Sequence, residues 1–267
     1  MPRVSVRATL AGLAAVAAFA LAESPAAAFE IAPHRAIYRL DLDSARSGSR
    51  VSDVDGQMLF RWDDGCDGWT IEQRYHTTYL FVQGGEVDQT TAYATWESKD
   101  GQTFTFSMRN VTDGVPEEQI RGNAHLAGDG SGTALYRLPD GHEENLPTGT
   151  LFPTAHTLRL LDAAERGTRF FVALLFDGTE VDGLSEISAV IGDQRPARQA
   201  GGGLLDRPSW PVQLAFFSLA DGTAEPTYEM SVTLYDNGVI DDMMIDYGDF
   251  SIHATLIELE PIDKPSC

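Results

Sequence analysis

The chain has 267 residues, with 40 Asp and Glu against 19 Lys and Arg, for a formal net charge of −21. Affinity for nucleic acid rests on basic side chains that neutralise phosphates, so this balance argues against a nucleic-acid partner and against adsorption to an anionic lipid surface. A hydrophobic fraction of 43% beside 22% charged residues suits a globular core rather than disorder. Two cysteines are too few for a four-thiolate zinc site or a cysteine-ligated iron–sulfur cluster.

Residues 1–28 read as a secretory signal peptide. Arg3 and Arg7 precede an almost wholly apolar run from Ala8 to Ala22, and the small residues that follow offer cleavage after Ala22 or after Ala28. That run is 15 residues long, short of the roughly 20 a membrane-spanning helix requires. No cysteine precedes Cys66 to carry a lipid. The expectation is an exported, soluble protein, residues 29–267, with no stable membrane span after cleavage. It keeps 17 basic and 39 acidic residues.

From Phe29 onward, short alternating segments rich in β-branched and aromatic residues dominate. The clearest are 36–42, 56–62, 69–82, 90–96 and 102–108 in the first half. Segments 170–176, 185–191, 212–219, 227–235, 239–247 and 251–258 follow in the second. Ten Asp-Gly pairs and Asn237-Gly238 lie between them, and such pairs suit type I′ hairpin turns. About 12 to 15 strands in one β-domain are expected. One helix interrupts them at 155–166, with Thr154 placed to cap it, Gly167 placed to end it and Ala155, Leu158 and Leu161 as its apolar stripe. Residues 194–210, with two prolines and three consecutive glycines, read as one long loop.

The two cysteines, Cys66 and Cys267, are 201 positions apart. In an exported chain a pair of cysteines points to an intramolecular disulfide. A catalytic thiol or a redox pair are the competing readings, without a CxxC spacing or an evident base. Six histidines occur at His34, His76, His125, His142, His156 and His253, with no HExxH or other short metal spacing, so no metal and no cofactor is expected. His156, on the helix, reads as a buried histidine or as a helix site. The fragment Asp53-Val54-Asp55-Gly56 lacks the rest of a calcium loop and reads as a turn. No GxSxG elbow, SxxK pair or Walker loop is present. Arg195, Arg198 and Arg207 gather in the long loop, where they form a candidate contact for an anion or a partner.

Several segments resemble one family. They are Ala32–Tyr38, Gly65–Trp69, Leu146–Thr157, Tyr228–Ser231 with Asn237–Val239, and the closing Cys267. Together they resemble the EipB family, periplasmic cell-envelope integrity proteins of alphaproteobacteria. The resemblance implies an all-β fold in which a long antiparallel sheet winds into a β-spiral or open barrel-like wrap with one short helix. It also implies a disulfide between Cys66 and Cys267, a role in envelope integrity and stress resistance, and no catalytic residues. The function expected is therefore non-enzymatic and exerted by binding another envelope protein at a concave face or an exposed strand edge. A carrier or sensor of a lipid or cell-wall fragment is the alternative, and a hydrolase using carboxylates with His156 is the third reading.

Overall fold

The computed structural model describes residues 29–139, 141–181, 183–197, 203–220 and 222–267. The expected signal peptide and its cleavage position lie outside the described residues, as do Arg198 and the aspartates of the 140–141, 182–183 and 221–222 Asp-Gly pairs.

One sheet of fifteen strands makes up most of the molecule. The strands are β1 (His34–Ala45), β2 (Val51–Asp64), β3 (Gly68–Phe81), β4 (Glu86–Ser98), β5 (Thr103–Thr112), β6 (Val115–Leu126), β7 (Gly132–Leu138) and β8 (Glu143–Leu146). After β9 (Thr150–Leu151) comes the helix α1 (Pro153–Glu165), and then β10 (Phe170–Phe176), β11 (Leu184–Ile191), β12 (Ser209–Ser218), β13 (Tyr228–Tyr235), β14 (Ile240–Asp246) and β15 (Phe250–Pro261). Spatial order follows chain order, because β1 pairs with both β2 and β15, and the sheet then runs out to β8 on one side and β9 on the other. The all-β wound sheet with one helix is thus borne out.

Parity explains the place of the helix. A purely antiparallel meander closes on itself only with an even number of strands, since each step reverses direction. Here α1 carries the chain back so that β9 and β10 run parallel, and every other pairing is antiparallel. The two terminal strands of the sheet, β8 and β9, are therefore consecutive in the chain, separated only by Pro147, Thr148 and Gly149. No ladder joins them, and the sheet is a nearly closed barrel with a seam.

Alternation along the strands fills the interior. One core gathers around Trp62, Trp69, Leu161, Trp210, Val232 and Ile252. A second gathers around Phe104, Phe106, Tyr136, Phe152 and Phe176. Phe106 lies so close to Gly122 that an added Cβ there would sit 2.4 Å from its ring, so the glycine is a packing requirement of the second core. The register places the β2–β3 turn, the disulfide and the Asn237-Gly238 turn at one end of the barrel. The β1–β2, β3–β4 and β14–β15 turns lie at the other. The helix belongs to the stapled end. Its first turn meets Glu97 near the end of β4, and the chain just beyond its last turn meets Ile191 at the end of β11.

Three local expectations are corrected. Type I′ turns need positive φ at both central residues, and among the described residues Asp113 is the only non-glycine with positive φ. Asp113-Gly114 is the turn that qualifies; at Asn237-Gly238 only the glycine is left-handed, at φ +84°. The helix starts at Pro153 with Phe152 as N-cap and no capping side chain from its own segment, so Thr154 is not the cap. Gly167 does follow the end, at φ +72°. The buried residues are Thr154, His156, Leu160, Leu161, Ala163 and Ala164, whereas Ala155 and Leu158 are half-buried. Finally, the 194–210 segment is not loop throughout, since Arg195 and Ser209 exchange both backbone hydrogen bonds and β12 begins at Ser209.

Candidate functional site

The seam leaves two strand edges, and the ladders show which backbone groups each presents. In an antiparallel pair the hydrogen-bonded residues alternate. The Ile191 N–H donates to the Arg169 carbonyl at 2.9 Å, so Phe171, Ala173 and Leu175 turn their backbone groups toward β11, and Phe170, Val172 and Leu174 turn theirs away. Leu174 pairs with Thr150 of β9, where β9 contributes only two residues. Phe170 and Val172 are left facing the open edge, and among the described residues no strand pairs with them on that side. Their side chains stand on the outer face at 72% and 58% exposure, beside Val190, which lies directly across from Phe170 at 45%. Phe171, between them, points inward against the His156 ring at 5.6 Å.

The β8 edge is built differently. The Tyr136 N–H donates to the His142 carbonyl at 2.9 Å, so Glu144 and Leu146 face β7, and Glu143 and Asn145 face the seam. Both are exposed and polar, and Pro147 follows the strand at once. Charge, shortness and proline are the devices that discourage further strand pairing.

The stapled end holds most of the buried chemistry. Cys66 and Cys267 form the expected disulfide, with Cα atoms 5.7 Å apart. Lys99 pairs with Asp64 and lies over the Trp69 ring, and Lys264 pairs with Glu30, so ion pairs hold the tail alongside the staple. Glu97, 3% exposed, accepts the Thr154 and Ala155 N–H groups at 2.7 and 2.8 Å. This carboxylate from β4 supplies the cap that the helix's own sequence lacks. Burial pushes its pKa up to about 7 against the pull of those two amides. Glu97 lines a cleft of about 440 Å³ with Phe29, Trp69, Lys99, Leu158 and Arg159.

His156 is 6% exposed, and its Nε2 has no hydrogen-bond partner. Burial lowers its pKa to about 4, so the ring is neutral. Arg207 pairs with Asp236 beside the Asn237-Gly238 turn, and the Arg195 guanidinium is 3.5 Å from the Thr233 hydroxyl. Other histidines have separate neighbours, with His34 on the Ala32 carbonyl, His76 on Asp88 and His253 on Asp242. Among the described residues no three His, Cys, Asp or Glu side chains are grouped to hold a metal ion. No helix among them is long and apolar enough to cross a membrane. Sequence reasoning missed Glu97 and the asymmetric seam; for Glu97 the available signal was an acid on the inward parity of β4.

These features define a class: a single wound β-sheet, stapled across one end by a disulfide and unclosed along one seam. The EipB-like family model matches residues 25–263, and the chain belongs to that family. It is 33% identical, over 98% of this chain and 95% of the relative, to the cell envelope integrity protein EipB of Brucella abortus (strain 2308). A solved structure from Brucella abortus, described as a beta-barrel-like protein of domain of unknown function DUF1849, is similar at TM-score 0.82 and 32% identity. The match covers 88% of this chain and all of that one.

Proposed function

We propose that this protein supports the integrity of the cell envelope as a non-enzymatic periplasmic protein that captures another envelope protein, and that capture occurs on the open edge of β10. The envelope role follows the relative's name. The observation that carries the binding reading is the edge itself, where Phe170 and Val172 direct unpaired backbone groups to solvent, flanked by exposed apolar side chains. Such an edge is completed by an extended segment that adds one strand. Backbone bonds supply the pairing, and apolar side chains at alternate positions of the partner cover Phe170, Val172 and Val190. The net charge of −21 favours a partner segment with basic flanks.

A photo-reactive residue at the exposed Arg169, used in living cells, tests this. A discrete cross-linked envelope protein is expected, lost with Val172→Pro and retained with Asn145→Pro on the β8 edge. Capture that survives Val172→Pro overturns the edge assignment, and absence of any protein adduct overturns the binding reading.

A further inference from the structure

At the barrel end away from the staple most inward-facing side chains are only partly buried, so the inner wall reaches solvent there and has its own chemistry. On β3 the buried Trp69, Ile71 and Thr77 share a face with Gln73, Tyr75 and Tyr79; on β4 the buried Tyr93 and Thr95 share one with Gln89 and Thr91. By the same alternation Phe216 and Tyr228 point inward from β12 and β13. Five rings form an arc around the mouth. Phe216 stacks on Tyr228 at 4.3 Å, Tyr228 is 6.2 Å from Tyr247, Tyr247 stacks on Phe250 at 5.2 Å, and Phe250 meets Tyr79 edge-on at 6.3 Å. Uncharged polar groups continue the wall, the Tyr75 hydroxyl donating to the Gln73 carbonyl oxygen at 2.6 Å and the Thr91 hydroxyl to that of Asn110 at 2.7 Å.

Charge is scarce on this wall, in a chain of net charge −21. Two acids beside it are engaged. Asp177 is held by the Thr179 N–H and hydroxyl at 2.9 and 2.7 Å, and Glu118 accepts from the Asn110 amide at 3.4 Å. Beneath the arc the enclosed space between Leu40, Met58, Tyr75, Met243 and Ile252 is about 40 Å³, room for a few waters and not for an acyl chain.

We propose that this open inner wall is a binding site for an uncharged saccharide chain. Aromatic faces with polar tips match the mixed apolar and hydroxylated faces of sugar rings. Neutral amides and hydroxyls both donate and accept, as sugar hydroxyls require. A lipid tail laid on the same wall would cut Gln89 and the hydroxyls of Tyr79, Tyr228 and Tyr247 off from water and supply them no partners, and a polyanion would be repelled by the chain as a whole. The site is separate from the seam and does not depend on the partner reading.

The test titrates the mature protein with a tetrasaccharide of N-acetylglucosamine and follows tyrosine fluorescence and amide NMR shifts. Saturable binding with shifts around the arc is expected. Tyr247→Ala, at a ring already 43% exposed, should weaken it about tenfold at an unchanged melting temperature, and Val172→Pro at the seam should leave it intact. No binding at millimolar saccharide, binding unaltered by Tyr247→Ala, or preferential binding of the cationic deacetylated tetrasaccharide or of phosphatidylglycerol vesicles would each overturn the proposal.

Discussion

The two edges that fail to meet at the seam are opposites. β8 shows the seam Glu143 and Asn145 on a four-residue strand that ends at a proline, whereas β10 shows it Phe170 and Val172 on a seven-residue strand with Val190 alongside. A sheet that merely failed to close would have both edges defended, because an undefended one templates aggregation. Here one edge carries the usual defences and the other carries the features of a template. On the proposed reading the protected edge ends the fold, and the unprotected one is available to be completed.

That contrast can be strained from the stapled end. Cys66→Ser or Cys267→Ser opens a loop of 201 residues and should lower stability by up to about 5 kcal/mol. The check is the melting temperature with and without reductant. The wild-type protein should melt lower with reductant and the variants should not respond, whereas equal wild-type midpoints would show that the staple does not hold the C-terminal tail to the β2–β3 turn. A second test probes the alternation within β10. Phe171→Pro removes a donor that faces β11 together with an inward ring, and should cost about 3 kcal/mol or more. Val172→Pro removes a donor that faces the open edge and should cost under about 1 kcal/mol. Denaturant titration separates the two, and similar losses would contradict the assignment of the edge.

Glu97 sharpens the comparison from the helix side, because α1 backs β10. Its carboxyl has a pKa of about 7 in the fold against an ordinary value of 4.5, so the native state holds the proton more tightly than the unfolded chain does. The stability from this group is fully present below about pH 4.5 and is lost as pH rises through 7, a change of about 3 kcal/mol. The stability of wild type relative to Glu97→Gln should therefore fall by about that amount across the window. A difference independent of pH would show that the carboxyl is not held as described.

Much of the fold was legible in the sequence, for definite reasons. Alternation and Asp-Gly punctuation located segments such as 102–108, which overlaps β5. The count of two cysteines in a chain read as exported pointed to the staple, and the family resemblance supplied the winding. The seam was not legible. Phe170-Phe171-Val172-Ala173-Leu174-Leu175-Phe176 reads as a continuous apolar run, the pattern of a strand buried on both faces. Its edge is open because β9 stops after two residues, and that fact belongs to the topology. Glu97 was hidden for a related reason, since its partners Thr154 and Ala155 lie 57 and 58 residues away.

Residue-resolved amide hydrogen exchange along β10 of the free protein is the most direct test of the central claim. The account predicts slow exchange at Phe171 and Ala173, which donate toward β11, and fast exchange at Phe170 and Val172 between and beside them. Uniform protection across all four would show the edge already covered, and would contradict it.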